Sequence, residues 1–186
     1  EQVEDALRRL GKLDGFSLEP IVPAEKQWRY RNKLEFSFGE SDEGTLELGF
    51  HAPGRWDVIE PLESCMLGSE LSDAVRTAAL EWFRNEGLSG QDREGGEGFL
   101  RNFVIREGKS TGEIQARLVT SDGSFRTAEF VEALDAVAPG IGVWWTRHPH
   151  DGPDRVTGKH KHLAGPEKLS ERLGDLRFEI SPLAFF

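Results

Sequence analysis

The stretch Trp28-Arg-Tyr-Arg-Asn-Lys-Leu-Glu-Phe-Ser-Phe38 is followed, after a polar turn, by Leu46-Glu-Leu-Gly-Phe50. Apolar side chains recur at every second position, which is typical of a strand with one buried face. Two such runs joined by a short polar turn predict a β-hairpin. In the first run one face would hold Tyr30, Asn32, Leu34, Phe36 and Phe38, and the other would hold Arg29, Arg31, Lys33, Glu35 and Ser37.

The rest of the chain predicts further hairpins and a few helices. Apolar residues at helical spacing predict helices over residues 1–13, 69–86 and 127–137. Strands are predicted over residues 56–59, 99–106, 113–120, 141–146, 169–173 and 176–180. Because the strands come in hairpins, the predicted class is α+β: a mainly antiparallel sheet with two helices on one face, plus an N-terminal helix.

Composition indicates a folded but acidic protein. The 186 residues are 37% hydrophobic, include 12 Phe and 5 Trp, and carry a net charge of −10. A chain that binds nucleic acid through bulk charge would be basic, so RNA binding would need a local basic face or a second domain. Strong acidity is also compatible with a high-salt habitat. The single cysteine excludes an internal disulfide and fits a reducing compartment, so we expect a cytoplasmic protein without a membrane span.

Basic residues concentrate in two stretches. The first holds Lys26, Arg29, Arg31 and Lys33 with no acid between them. The second, residues 147–162, is predicted to be a long loop that could hold phosphate through Arg147, Arg155, Lys159 and Lys161. In this loop the pairs His148-x-His150 and His160-x-His162 would permit a metal site, but a solvated basic loop is the favoured interpretation. Cys65 is interpreted either as a buried apolar side chain or as a reactive thiol near a helix start.

Several stretches together resemble the RNA uracil-C5 methyltransferases, which act on ribosomal and transfer RNA. They are Tyr30-Arg-Asn-Lys-Leu-Glu-Phe-Ser-Phe-Gly39, Leu48-Gly-Phe-His51, Cys65-Met-Leu67, Leu100-Arg-Asn-Phe-Val-Ile-Arg106, Thr111-Gly-Glu113 and Phe178-Glu-Ile-Ser-Pro-Leu-Ala-Phe-Phe186. Each motif alone is weak, but they occur in the family's order over residues 1–186.

The resemblance implies a three-part protein of which this chain is one part. Residues 1–29 would be an N-terminal helical arm and connector, and residues 30–186 the central α+β domain of a truncated methyltransferase. The catalytic residues and the S-adenosylmethionine site would lie in a missing C-terminal Rossmann-like domain, so this chain would be inactive alone. The ending Ala184-Phe-Phe186 also indicates a cut, because two terminal phenylalanines would otherwise be left in water or have to tuck into the core.

The resemblance also assigns expected roles to individual residues. Arg31 and Phe185 match family positions near the RNA and its flipped-out base. Arg31 could instead form a surface ion pair with Glu35 or with a neighbouring strand, and Phe185 could pack in the core. The expected RNA-binding set is Arg29, Arg31, Lys33, Arg147, Lys159, Lys161 and Phe185.

Cys65 matches the last of four [4Fe-4S] ligands found in some family members. With one cysteine, the chain could not hold such a cluster by itself. The expected partners are ribosomal or transfer RNA and the protein's own catalytic and N-terminal domains. The alternative is a free-standing α+β module that binds RNA or another protein.

Overall fold

The computed structural model describes residues 1–92, 96–148 and 158–185. Helix α1 spans Gln2–Asp5 and continues as a π-helical turn, Ala6–Leu10; the longer helices are α2 (Glu70–Asn85) and α3 (Thr127–Asp135). The strands are β1 (Lys33–Glu40), β2 (Leu46–Ala52), β3 (Arg55–Pro61), β4 (Leu100–Glu107), β5 (Ile114–Thr120), β6 (Gly142–Arg147), β7 (Lys159–Ala164), β8 (Leu169–Leu173) and β9 (Leu176–Ile180).

Seven of these strands form one sheet in the order β3-β2-β1-β4-β5-β6-β7. Neighbouring strands are antiparallel except for β5 and β6, which run parallel because α3 lies between them as a crossover connection. Strands β8 and β9 pair in a separate hairpin. The predicted α+β class with a mainly antiparallel sheet is confirmed.

The core lies between one face of the large sheet and the helices α2 and α3. Leu34, Phe36 and Phe38 point into it, as their alternation in the sequence predicts. Helix α2 begins where the Ser69 hydroxyl accepts a hydrogen bond from the Ser72 amide at 3.0 Å, an N-cap that satisfies one unpaired donor of the first turn. Its apolar stripe includes Phe83, which is fully buried.

Two sequence-based boundaries are wrong. Strand β1 begins at Lys33 rather than Trp28, because Arg29 adopts φ +56° and the amides of Arg29 and Arg31 bond to the carbonyls of Met66 and Leu67. Tyr30 is consequently 54% exposed and lies outside the core. Residues 159–162, predicted as loop, belong to edge strand β7. In the described ranges, the helices lack the length and apolar character that crossing a membrane requires.

Substitution Phe83→Ala should destabilise the chain by about 3–5 kcal/mol, because it leaves a cavity between α2 and the sheet. Equilibrium urea unfolding measures this change. Phe178→Ala is the matched control, since Phe178 is 44% exposed and its removal leaves no enclosed cavity. Equal losses of stability in the two variants would contradict this account of the core.

Candidate nucleic-acid interface

The sheet face that points away from α2 and α3, here called the helix-free face, carries polar and charged side chains. Strand alternation directs Lys33, Glu35 and Ser37 of β1 to this face, because Leu34, Phe36 and Phe38 occupy the other. Cross-strand pairing then places Arg106 of β4 directly opposite Lys33. In strand β5, Arg117 pairs with Val104, the neighbour of Glu35.

The structure brings together two of the expected RNA-binding residues, Lys33 and Phe185. The Lys33 ammonium lies 5.7 Å from the centroid of the Phe185 ring and donates to the Phe185 carbonyl at 3.4 Å. The same ammonium is 3.6 Å from a Glu35 carboxylate oxygen. The Phe185 ring is 79% exposed, so the alternative that it packs in the core does not hold in this chain.

Burial lowers the pKa of the Lys33 ammonium, and the positive charges of Arg106 and Arg117 lower it further, while Glu35 acts in the opposite direction. Burial likewise lowers the pKa of the Arg106 guanidinium, with Arg117 adding to the effect and Glu35 opposing it. Both shifts have the same physical origin: positive charges gathered in a poorly solvated place. The helix-free face therefore has a positive centre in an acidic chain.

Arg29 and Arg31 play different parts in the structure. The Arg29 guanidinium donates to the Gly68 carbonyl at 3.2 Å and lies 3.9 Å from a carboxylate oxygen of Asp73. It therefore connects the segment that precedes β1 to the start of α2. Arg31 is exposed, and its anticipated partner Glu35 pairs with Lys33 instead. Of the two arginines, Arg31 is the more accessible to a ligand.

The second basic group lies on the other side of the sheet. Arg147 places its guanidinium 5.1 Å from the centroid of the Trp145 ring, which packs in the core between the sheet and the helices. Lys159 and Lys161 pair with Arg147 and Trp145 and so share that side. The thickness of the sheet therefore separates all three from Lys33, with two strands between Lys33 and Arg147 and three between Lys33 and the two lysines of β7.

The described histidines His148, His160 and His162 and the cysteine Cys65 are the candidates for metal binding. Across the ranges that the structure describes, no group of three or more His, Cys, Asp or Glu side chains could hold a metal ion. His150, Arg155 and Phe186 lie outside the described residues. Cys65 is 4% exposed, and its amide donates to the Asp73 carboxylate at 3.0 and 3.1 Å, which fits the interpretation of a buried apolar side chain.

Sequence reasoning missed Arg106 and Arg117. Each lies in a strand where apolar residues occupy the alternate positions, so the sequence does contain a signal, namely a charged side chain on the polar face of a central strand. What the sequence does not show is that β1, β4 and β5 are neighbours.

A concave site at the other end of β1 is acidic. Its lining includes Glu40, Asp42, Glu47, Asp57 and Asp92. The hydrogen bond from Arg55 holds the pKa of the Asp57 carboxyl down at about 2, so this group is charged over the whole physiological range. A phosphate would be repelled here, whereas the helix-free face carries the positive charges of Lys33, Arg106 and Arg117 and is for that reason the candidate nucleic-acid interface.

A latch at Glu171 fixes the hairpin that leads to Phe185. The Glu171 carboxylate accepts hydrogen bonds from the Lys109 amide at 2.6 Å, from the Ser110 amide at 3.0 Å and from the Ser110 hydroxyl. In the same contact Thr111 Oγ1 donates to the Ser170 carbonyl at 2.7 Å. Hairpin β8–β9 is thereby held against the β4–β5 turn.

The chain is similar in sequence and in fold to known proteins. No protein-family model matches the chain. An uncharacterized RNA methyltransferase of Clostridium tetani is 35% identical over 185 residues, and one of Halalkalibacterium halodurans is 32% identical over 188 residues. These alignments cover 97% and 100% of this chain but 41% of each relative. The crystal structure of Pyrococcus abyssi tRNA (uracil-54, C5)-methyltransferase in complex with S-adenosyl-L-homocysteine matches with a TM-score of 0.76 and 26% identity, covering 100% of this chain and 43% of that one.

Over its whole length the chain is similar to a part of proteins named RNA methyltransferases. The resemblance inferred from the motifs is confirmed, and it extends over the whole chain. The chain spans about two fifths of the length of these relatives, and the structural match to the Pyrococcus abyssi enzyme extends over all of it.

The latch at Glu171 should weaken in acid. Burial raises the pKa of the Glu171 carboxyl, but the hydrogen bonds from the Ser110 hydroxyl and the amides of Arg172, Ser110 and Lys109 outweigh it, so the pKa lies below its ordinary value. A depressed folded-state pKa gives stability that is present above the unfolded pKa and lost as the pH falls through the folded one. Limited proteolysis of the β8–β9 hairpin should therefore accelerate in acid but change little near neutral pH.

Glu171→Gln is the control for this pH dependence, because its amide does not titrate. The variant should be cleaved faster than the wild type at neutral pH and should show a smaller further acceleration in acid. If the two proteins had the same pH profile, another group would be responsible.

Proposed function

We propose that the chain is the RNA-facing central domain of an S-adenosylmethionine-dependent RNA uridine C5-methyltransferase. The supporting observation is the likeness of the whole chain to a segment of the Pyrococcus abyssi enzyme, at 26% identity and a TM-score of 0.76. Within this proposal residues 1–29 are the arm and connector and residues 30–186 the central domain. The substrate is ribosomal or transfer RNA in the cytoplasm.

The domain's part in the reaction is to hold and orient RNA. S-adenosylmethionine supplies the methyl group, and the resemblance assigns its site and the catalytic groups to the catalytic domain of the parent protein. Arg31 offers an exposed guanidinium for a phosphate. Phe185 offers an exposed ring, which can replace the stacking that a uracil loses when it leaves its neighbours.

Arg31→Ala in the full-length parent protein should lower kcat/KM for RNA methylation by roughly tenfold, because a charge-assisted contact to phosphate is lost. Methyl transfer from labelled S-adenosylmethionine to ribosomal and transfer RNA measures this, and digestion of the product identifies the methylated base. Arg9→Ala is the matched control, since Arg9 is also exposed and pairs only locally with Asp5 at 3.2 Å.

Three outcomes of that assay count against the proposal in different ways. Unchanged activity of the Arg31 variant would remove the role given to Arg31. Methylation at a position other than C5 of uridine would overturn the proposed reaction. RNA binding by a full-length protein that transfers no methyl group would favour the alternative, a binding module.

A single cysteine does not fit a [4Fe-4S] cluster, so no cluster chemistry is assigned to this chain. For the parent protein we propose that Cys65 is either the fourth ligand of a cluster whose other three cysteines lie elsewhere, or the residue that remains in relatives without one. Iron analysis of the full-length protein separates these alternatives. Iron that is present in the wild type and lost in Cys65→Ser would indicate a ligand, whereas an iron-free wild type would indicate a core residue.

A further inference from the structure

Hairpin β8–β9 and the segment before β1 form the two walls of an open apolar groove, here called the hairpin groove. Its volume is about 700 Å³, and its apolar lining comes from Tyr30 on one wall and from Leu173, Phe178 and Ile180 on the other. We propose that this groove is the docking surface for the catalytic domain of the same polypeptide. The inference rests on the proposed function and deepens it, because it names the surface through which the two domains are joined.

One face of the hairpin is apolar, and only its base is covered. Strand alternation and the pairing of Leu173 with Leu176 direct Leu169, Leu173, Leu176 and Phe178 to the same side. Leu169 is buried, whereas Leu173 and Leu176 at the tip are 72% and 63% exposed. A two-stranded hairpin is marginally stable in water by itself, and contiguous exposed apolar side chains mark interaction sites. The uncovered part of this face therefore needs a partner.

Hydrogen bonds fix both walls of the groove to the body of the domain. The Glu171 latch holds the hairpin wall against the β4–β5 turn. On the other wall, Tyr30 lies between Arg29 and Arg31, whose amides bond at 2.6 and 3.0 Å to backbone carbonyls of the segment before α2. The groove is thus preformed, and a partner that docks there does not have to order it first.

The charges of the groove are balanced, which favours an apolar protein surface over RNA as the occupant. The Lys109 ammonium, on the β4–β5 turn, lies 2.7 Å from a carboxylate oxygen of Glu107. Arg172 lines the groove beside Glu171, so two cations face two carboxylates. Nucleic acid is held chiefly by an excess of positive charge, and the groove does not offer one.

The length of the relatives indicates what covers the groove. The chain aligns with 41% of the Clostridium tetani and Halalkalibacterium halodurans relatives and with 43% of the Pyrococcus abyssi enzyme, so about three fifths of such a polypeptide lie outside the matched part. The proposed function assigns the catalytic groups to that remainder. A domain of the same polypeptide is present at an effective concentration in the millimolar range, which favours it over a second copy of the protein at micromolar concentration.

Hydroxyl-radical footprinting of the full-length protein tests the proposal, because it measures the access of water to individual side chains. The oxidation rates of Tyr30 and Phe178, corrected for intrinsic reactivity, should be lower than that of Trp56 by about fivefold or more, since an interface core excludes water. Trp56 is the matched control: it is 65% exposed and lies on edge strand β3, away from the groove.

A charge placed in the groove should release the protection. Phe178→Asp in the full-length protein should raise the oxidation rate of Tyr30 severalfold, to about that of Trp56, because an unpaired carboxylate is costly to bury in an interface. Trp56→Asp is the control variant and should leave Tyr30 protected. If Phe178→Asp does not fold, the footprint of the wild type decides the matter alone.

The outcomes separate this proposal from the proposed function. If Tyr30 and Phe178 are as reactive as Trp56 in a full-length protein that methylates C5 of uridine, only the docking proposal falls. Protection of both side chains in a monomer that transfers no methyl group would support docking within the polypeptide and overturn the proposed function. Protection that appears only in a dimer, as measured by light scattering, or only after RNA is added, would identify another occupant and overturn the docking proposal.

Discussion

The structure depends on a set of aromatic contacts that close one face of the sheet under α2 and α3. The Phe83 ring of α2 packs edge-on against Phe38 of β1, with 5.5 Å between the ring centroids, and its centroid is 4.8 Å from that of Phe130 in α3. The ring centroids of Phe125 and Trp145 of β6 are 5.0 Å apart. Aromatic side chains bury large apolar areas and prefer such tilted geometries. Because these rings join both helices to the sheet, the space between α2, α3 and the centre of the sheet is filled with side chains.

Because the apolar side chains fill the face under α2 and α3, the polar side chains of the central strands lie on the other face of the sheet. Alternation along β1 and β4 must place every second side chain there, and several of these groups are fixed by one another. Asn102, for example, donates to Ser37 Oγ at 3.0 Å. Strand pairing places Lys33 opposite Arg106, and Glu35 lies 3.6 Å from the Lys33 ammonium. An acidic chain can in this way present a small positive surface, while its carboxylates gather elsewhere, as they do around Asp57.

The sequence predicts this fold well where local patterns decide the structure. The alternation of Leu34, Phe36 and Phe38 and the helical spacing around Phe83 identify the core, because burial enforces those periods. It fails where a distant contact decides. The left-handed Arg29 is stabilised by the Met66–Leu67 segment, and the polar run of β7 forms a strand because it pairs with β6 at the edge of the sheet. The proximity of Lys33, Arg106 and Arg117 escapes prediction for the same reason, since it needs the order β1-β4-β5.

Arg29 and Arg31, in the segment before β1, show that a basic composition alone does not identify a binding site. Arg29 is engaged with Gly68 and Asp73 and serves the fold, whereas Arg31 stays exposed. The position of Phe185 depends on contacts that are distant from it in the sequence. It follows β9, and β9 is held through β8 and Glu171 to the β4–β5 turn. Since β1 and β4 are paired, the exposed Phe185 ring and the Lys33 ammonium are both tied to the same part of the sheet, although 152 positions separate them in the sequence.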